Sequence, residues 1–167
     1  AAMLLDNDAQ VTGSDATPSE FTAALIEKGA RIVDGHAREN LPRDTDAVVI
    51  SAAIKEDNPE LAAARHRHLP VLKYARMLGE LMSRYEGIAI SGTHGKSTTC
   101  GWLAQLLTLA GADPSFIVGA RVSQLGCSCS VGSSRLFLAE ACEYDRSFLN
   151  LKPSIGCILN IEQDHLD

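Results

Sequence analysis

The sequence predicts an α/β protein with mainly parallel sheets, and three observations support this class. Short apolar runs alternate with helix-like segments along almost the whole chain, which is the pattern of successive βα units. The run Ala47–Ile50 is unbroken, as in a parallel strand that is buried on both faces. The strand-like Ile88–Ile90 leads directly into Ser91–Ser97, which ends in a Gly-Lys-Ser tripeptide where the next helix begins.

The first part of the chain is predicted to hold three helices and four strands. Thr17 is expected to cap the second helix, with Pro18 at its first position and Glu20 three residues after the cap. Gly29 should end that helix in a left-handed conformation. In chain order the predicted elements are a half-helix at Ala1–Leu5, a strand at Gln10–Thr12, a helix to Gly29, a strand at Ala30–Val33, a strand at Asp46–Ser51, a helix from Asn58 to about His68 and a strand at Pro70–Leu72.

The second part is predicted to alternate in the same way. Its elements are helices at Tyr74–Tyr85 and Ser97–Ala110 and strands at Ile88–Ile90, Ser115–Val118, Leu136–Ala139 and Ile155–Leu159. The change of pattern near Leu72–Tyr74 predicts two domains, residues 1–72 and 73–167. The chain opens as if inside a helix and closes on a polar cluster, so we expect a piece of a larger protein.

Composition excludes several classes. The 167 residues are 46% hydrophobic and 22% charged, which argues against a disordered, collagen-like or coiled-coil chain. A net charge of −6 without a long basic run argues against nucleic-acid binding. No apolar run approaches the roughly 20 residues of a membrane span, and no signal peptide is evident. The five cysteines fit reduced cytoplasmic thiols; Cys127 and Cys129 alone are too few ligands for a structural metal site.

The segment between the fifth predicted strand and the following helix has the properties of a phosphate-binding loop. It consists of Gly92, Thr93, His94, Gly95, Lys96, Ser97 and Thr98. Glycines let backbone N–H groups turn toward an anion, and the helix N-terminus favours negative charge. Lys96 would reach the β and γ phosphates of a nucleotide, and the Ser97 hydroxyl would bind Mg²⁺. The common G-x-x-x-x-G-K-[ST] pattern would place its first glycine at Ile90, so this is a tighter variant. The alternative is a glycine turn with an exposed lysine.

Two polar residues at other strand ends are candidates for the same site. Glu140 ends the run Leu136–Ala139, and His165 lies in the polar cluster after the last strand. Parallel neighbours could bring both to one Mg²⁺-nucleotide site. The alternatives are a solvated carboxylate and a surface histidine.

Three stretches of the sequence, Ser91–Thr99, Glu140–Leu149 and Asn160–Asp167, resemble the ATP-binding signatures of the Mur ligase family. Four further segments resemble its branch that acts on UDP-N-acetylmuramate and L-alanine: Ser14-Asp15, Ser51–Ile54, Asp57–Glu60 and Pro70–Leu72. The resemblance covers nearly the whole chain, with its motifs in order. It also accounts for the tight phosphate loop, which this family uses.

The resemblance implies a Rossmann-like parallel-sheet domain for a UDP-sugar at residues 1–72, without its first strand, followed by part of a P-loop ATPase α/β domain at 73–167. It implies transfer of the ATP γ-phosphoryl group to the substrate carboxylate, and attack of the L-alanine amine on the acyl phosphate. Lys96 would hold the phosphates, Ser97 and Glu140 would bind one Mg²⁺, and His165 with Glu140 a second, at which Mn²⁺ would be tolerated. Asp15, His36 and Ser51 are weaker candidates for UDP-sugar binding.

Other functions remain open at this point. Within the family, a ligase that attaches a ready-made tripeptide to UDP-N-acetylmuramate shares the first substrate, and a folate-type glutamate ligase is more distant. Outside it, a P-loop NTPase that couples hydrolysis to a conformational change would have the same loop. The piece alone could also be an inactive nucleotide-binding module.

Overall fold

The computed structural model describes residues 1–17 and 19–162 and confirms the α/β class. The chain divides into two compact units, Ala1–Tyr74 and Ala75–Asp167. Each unit is built around parallel strand pairs. No helix within the described ranges is long and apolar enough to cross a membrane.

The first unit holds two separate pairs of parallel strands. Its elements are α1 (Ala2–Leu5), β1 (Thr12–Asp15), α2 (Glu20–Glu27), β2 (Arg31–Asp34), a 3₁₀ turn (Arg38–Asn40), β3 (Val48–Ile50), α3 (Pro59–His66) and β4 (Val71–Lys73). Strand β1 pairs with β2, and β3 pairs with β4. Gly29 has φ +99° after α2, as its left-handed role predicts, and the Asn58 side chain caps α3.

The predicted start of α2 is wrong by two residues. Ser19, not Thr17, is the N-cap: its hydroxyl accepts from the Thr22 N–H at 3.3 Å, and the Thr22 hydroxyl accepts from the Ser19 N–H at 2.8 Å. This reciprocal capping box satisfies two backbone donors at once. The Thr17 N–H instead donates to the Asp15 carboxylate at 3.0 Å, and Glu20 becomes the first helical residue. Pro18 lies outside the described residues.

Two strand predictions in this unit also need correction. β1 begins at Thr12, where the predicted strand ended, because Gly13 and Ser14 pair with β2 despite their low strand propensity. β3 is shorter than predicted and is not buried on both faces: Val49 is 40% exposed. Its only sheet partner within the described residues is β4, so β3 is an edge strand of a two-stranded sheet.

The second unit is a five-stranded sheet in the order β7-β6-β8-β5-β9. Its elements are α4 (Tyr74–Met82), β5 (Glu86–Ser91), α5 (Lys96–Leu109), β6 (Ser115–Val122), β7 (Cys127–Ser130), β8 (Leu136–Glu140), a 3₁₀ segment (Tyr144–Asn150) and β9 (Ile155–Ile158). All neighbouring pairs are parallel except β6 with β7. The sequence analysis missed β7, because its Cys-Ser-Cys-Ser run contains no β-branched or aromatic residue.

The middle of this sheet is its most deeply buried part. Phe137, Leu138 and Ala139 of β8 are fully buried, and most of β5 is buried. β5 lies between β8 and β9 and runs parallel to both. The carboxyl ends of these three strands therefore meet at one edge of the sheet, where α/β proteins place their ligands.

Candidate functional site

The phosphate loop connects the carboxyl end of β5 to the first residue of α5. Gly92 has φ +146° and Gly95 has φ +83°, conformations that side-chain-bearing residues rarely adopt. A Cβ atom at Gly92 would also lie 3.1 Å from the Leu159 Cβ. Gly92 is therefore needed for its backbone angle and its close packing, and Gly95 for the turn into the helix.

Asn160, just beyond β9, holds the loop in place. Its side-chain oxygen accepts from the His94 N–H at 2.9 Å, and its side-chain amide donates to the His94 carbonyl at 3.0 Å. Its own carbonyl accepts from the Thr93 N–H at 3.3 Å. The next four N–H groups, from Gly95 to Thr98, begin a helix and have no intrahelical acceptor. They are the donors that the loop offers to an anion.

Lys96 lies folded over the loop. Its ammonium group donates to the carbonyls of Gly92 at 2.6 Å and Thr93 at 3.1 Å. The Glu143 carboxylate, from the segment after β8, lies 2.9 Å from the same nitrogen. The Lys96 side chain is only 14% exposed, so the contact with Glu143 is partly shielded from water. The lysine therefore lies next to the N–H groups at the start of α5, with a carboxylate already bound.

Glu140 is oriented by two hydrogen bonds at the end of β8. Its Oε2 accepts from the Ser97 hydroxyl at 3.1 Å, and its Oε1 accepts from the Gly119 N–H at 2.6 Å. The hydroxyl and carboxylate oxygens are hard donors of the kind that Mg²⁺ prefers. Mg²⁺ usually keeps several waters, so two protein oxygens beside an anion site fit this ion. No group of three or more His, Cys, Asp or Glu residues suitable for a metal occurs in the described part of the chain.

The remaining loop residues occupy different positions. The Thr93 hydroxyl accepts from the Glu162 N–H at 2.9 Å, and the His94 Nε2 lies 3.8 Å from the Glu162 carboxylate. Thr98 is exposed on the first turn of α5. His165 lies outside the described residues, so its predicted role stays a prediction.

Sequence reasoning missed two residues of this site. Asn160 and Glu143 lay within motifs quoted for the family resemblance, but neither was a candidate. The signal for Asn160 was the one used for Glu140, a polar side chain directly after a strand. Glu143 has no such signal, because the turn of its segment decides which way its carboxylate faces.

The three candidates for sugar binding in the first unit are not joined by hydrogen bonds within the described residues. Asp15 binds the Thr17 N–H. Ser51 is exposed after β3, and its carbonyl accepts from the Ile54 N–H at 3.3 Å. His36, after β2, instead contacts Ser14: its Nδ1 lies 2.9 Å from the Ser14 hydroxyl oxygen.

Glu60, on the first turn of α3, connects this histidine to its surroundings. Its Oε2 accepts from the Ser14 hydroxyl at 2.8 Å. Its Oε1 accepts from the Ala37 N–H at 3.2 Å and from the Asn40 side chain at 2.8 Å. We call Ser14, His36, Asn40 and Glu60 the Ser14 cluster. It unites residues that follow or belong to four different elements, and sequence analysis recognised only His36 as a candidate.

The cysteines form no disulfide. Burial, with a smaller contribution from the Glu140 charge, raises the pKa of the Cys100 thiol to about 12. Cys100 lies on α5 and is fully buried. Its thiol therefore behaves as a small apolar group in the core.

Comparison with known proteins places these features in a family. The family model described as the Mur ligase family, catalytic domain, matches residues 1–86. UDP-N-acetylmuramate–L-alanine ligases from Paraburkholderia phytofirmans and Janthinobacterium are 47% and 46% identical over all 167 residues. The chain spans about 36% of the length of either relative.

Solved structures agree with this relationship. A UDP-N-acetylmuramate:L-alanyl-γ-D-glutamyl-meso-diaminopimelate ligase from Neisseria meningitides matches 98% of the chain with a TM-score of 0.89 and 26% identity, over 56% of its own length. A UDP-N-acetylmuramate-alanine ligase from Thermotoga maritima matches 98% of the chain with a TM-score of 0.87 and 27% identity, over 38% of its own length.

Proposed function

The chain belongs to the Mur ligase family, and on that premise we propose that it is part of an ATP-dependent ligase that joins L-alanine to UDP-N-acetylmuramate in peptidoglycan synthesis. The observation that carries the proposal is the arrangement of Ser97 and Glu140, 3.1 Å apart beside a phosphate loop. The 46–47% identity with L-alanine ligases over the whole chain supports this choice of substrates.

The chemistry suits these residues. A carboxylate is a poor electrophile, and phosphorylation by ATP gives it a leaving group that an amine can displace. Phosphoryl transfer depends mainly on positioning and charge neutralisation. Lys96 and the N–H groups at the start of α5 would hold the phosphates, while Ser97 and Glu140 would hold Mg²⁺. When bound, this ion would neutralise charge on the phosphates. His165 remains a proposed ligand of a second ion, with Mn²⁺ tolerated.

The two units would have different substrates. We assign UDP-sugar binding to residues 1–72, where the Ser14 cluster joins His36, just after β2, to Ser14 of β1 and Glu60 of α3. We assign ATP to residues 73–167, which contain the phosphate loop. The proposed reaction would take place in the cytoplasm, on small-molecule substrates, without nucleic acid or membrane insertion.

The tripeptide-attaching ligase is the second candidate. The Neisseria meningitides structure is a ligase of this tripeptide-attaching kind, and it matches the chain with a TM-score of 0.89. Its sequence identity to the chain, 26%, is nearly the same as the 27% of the alanine ligase structure from Thermotoga maritima, so the structures do not separate the two candidates. The 47% identity with alanine ligases favours L-alanine.

A graft tests the function directly. The 167 residues replace the matching residues of the Paraburkholderia phytofirmans ligase, and ADP release is measured with UDP-N-acetylmuramate and either L-alanine or the tripeptide. We expect release that requires both UDP-N-acetylmuramate and L-alanine. Release with the tripeptide alone would identify the second candidate. Release without any amino acid would indicate an NTPase and contradict the proposal.

A metal titration of the same graft tests the ligands. Glu140→Ala should raise the Mg²⁺ and Mn²⁺ concentrations needed for activity more than His165→Ala does, because it removes the charge proposed to serve both ions. Glu86→Ala is the control, since Glu86 lies at the opposite end of β5 and pairs with Arg135. An unchanged titration in Glu140→Ala would refute the proposed metal site, and one in His165→Ala would refute the second-ion role.

A further inference from the structure

The Ser14 cluster contains a chain of hydrogen bonds whose direction can be worked out from its end group. The chain runs from Glu60 Oε2 to the Ser14 hydroxyl at 2.8 Å and from there to His36 Nδ1 at 2.9 Å. Both ends are largely shielded from water: the side chains of His36 and Glu60 are 26% and 18% exposed.

The direction follows from the number of protons. A carboxylate only accepts hydrogen bonds. The Ser14 hydroxyl has one proton, which it donates to Glu60. Its oxygen can then only accept from His36, so the proton of the neutral imidazole must be on Nδ1. The opposite direction would place two lone pairs against each other between Ser14 and Glu60, 2.8 Å apart.

We propose that Glu60 is a positioning residue that fixes His36 as the Nδ1–H tautomer, so that Nε2 offers a lone pair to a hydrogen-bond donor of the ligand. The ligand half of this inference rests on the proposed UDP-sugar role of the first unit, whereas the tautomer half rests on the hydrogen bonds alone. Glu60 itself would touch no substrate, because its two oxygens are already bound to Ser14, Ala37 and Asn40.

This arrangement determines the kind of ligand group that His36 would recognise. Nε2 has no hydrogen-bond partner among the described residues. A neutral imidazole with a bare Nε2 accepts from a hydroxyl or a ring N–H, and it repels a phosphate oxygen, which is itself an acceptor. UDP-N-acetylmuramate offers such donors on its sugars and on its base. His36 would therefore select a neutral donor of the ligand rather than its diphosphate.

Glu60→Gln should reverse the chain. The glutamine oxygen can still accept from Ala37 and Asn40, so the cluster keeps those two hydrogen bonds. Its amide, however, donates to Ser14, and the Ser14 hydroxyl then donates to His36 Nδ1. The imidazole proton moves to Nε2, and the same ring now offers a donor to the ligand. Ser14→Ala removes the link altogether and leaves the tautomer unconstrained by Glu60.

Nitrogen NMR of the chain tests the tautomer without any ligand. Histidines are labelled with ¹⁵N, spectra are recorded at pH 8, and the His36 signals are assigned by their loss in His36→Gln. We expect the proton on Nδ1 in the unmodified chain, on Nε2 in Glu60→Gln, and a mixture in Ser14→Ala. Glu56→Gln is the matched control, because Glu56 pairs with Arg65 at the surface and does not contact the cluster. A proton on Nε2 in the unmodified chain, or no change in Glu60→Gln, would overturn the proposal.

Calorimetric titration with UDP-N-acetylmuramate tests the ligand half. Glu60→Gln should weaken binding about ten-fold, because a donor would then face a donor, while Glu56→Gln should bind as the unmodified chain does. UDP-sugar binding that is equally tight in Glu60→Gln would refute the contact with His36. If the unmodified chain binds no UDP-sugar but shows the Nδ1–H tautomer, the proposed role of the first unit fails while the role of Glu60 in orienting His36 stands.

Discussion

Removing the negative charge of Glu143 should strengthen ATP binding. The Glu143 carboxylate lies 2.9 Å from the Lys96 nitrogen, where it occupies the cation that a phosphate group needs. A nucleotide must therefore weaken this ion pair or bind with two anions close together. In Glu143→Gln the lysine keeps its hydrogen bonds to Gly92 and Thr93 but loses the competing charge.

The structure sets the size of this effect. Exposed ion pairs contribute about 0.2–1 kcal/mol, and hydrogen bonds to charged groups about 1.5–3 kcal/mol when shielded. With Lys96 14% and Glu143 37% exposed, we place the pair at about 1 kcal/mol, near the upper end of the exposed range. A ten-fold change in affinity corresponds to about 1.4 kcal/mol. We therefore expect Glu143→Gln to bind Mg²⁺-ATP about five-fold more tightly.

Calorimetric titration of the 167-residue chain with Mg²⁺-ATP measures this change. Glu86→Gln is the matched control, because it removes the same charge from the opposite end of β5 and should leave the affinity unchanged. Equal or weaker ATP binding in Glu143→Gln would refute the reasoning. Weaker binding would show that Glu143 helps to hold the nucleotide or its metal instead of competing with it.

Four further predictions concern the loop and the core of the second unit. Lys96→Ala in the grafted ligase should lower the rate of ATP turnover by a factor of about 10²–10³, which is the usual effect of losing one preorganised contact to the reacting group. A variant that keeps half the activity would refute a role of Lys96 in holding the phosphates. Gly92→Ala should lower the free energy of unfolding in urea by about 1–3 kcal/mol, because φ is +146° and the new Cβ would lie 3.1 Å from Leu159. Gly156→Ala is the control, because there is open space around Gly156. Equal stability of the two variants would contradict backbone strain at position 92. Phe137→Ala should lower the free energy of unfolding by about 3–5 kcal/mol, because this ring is fully buried in β8. Ile161→Ala, at the surface, should change it by no more than about 0.5 kcal/mol. Similar losses in both variants would argue against the buried position of β8. Iodoacetamide at pH 8 should modify Cys142 well before Cys100, as measured by peptide mapping with mass spectrometry. Cys142 is exposed, whereas a pKa raised to about 12 keeps the Cys100 thiol protonated. Comparable labelling of both cysteines in the folded chain would refute the burial of Cys100.

The sequence alone was enough for the fold class and for the position of the predicted phosphate loop between a strand and a helix. Both depend on local signals: apolar runs that alternate with helices, and glycines directly between a strand and a helix. Gly92 and Gly95 do adopt the positive φ angles that such a loop requires. The helix predicted to start at Asn58 does start there, with the Asn58 side chain as its N-cap, because an N-cap depends only on residues two or three positions away. The same rule pointed to Thr17, whereas Ser19, two positions later, is the residue that caps α2.

Contacts between distant residues were decided only by the tertiary structure. Strand order places β5 between β8 and β9, which brings Glu140 to Ser97 and Asn160 to His94 across 43 and 66 positions. The Ser14 cluster likewise joins Ser14 to Glu60 across 46 positions. Hydrophobic periodicity shows that a strand exists and which residues share a face, but it carries no information on which strand lies beside it. Sequence therefore identified candidate residues by their chemistry, and the pairing of strands and the packing of helices determined which of them meet.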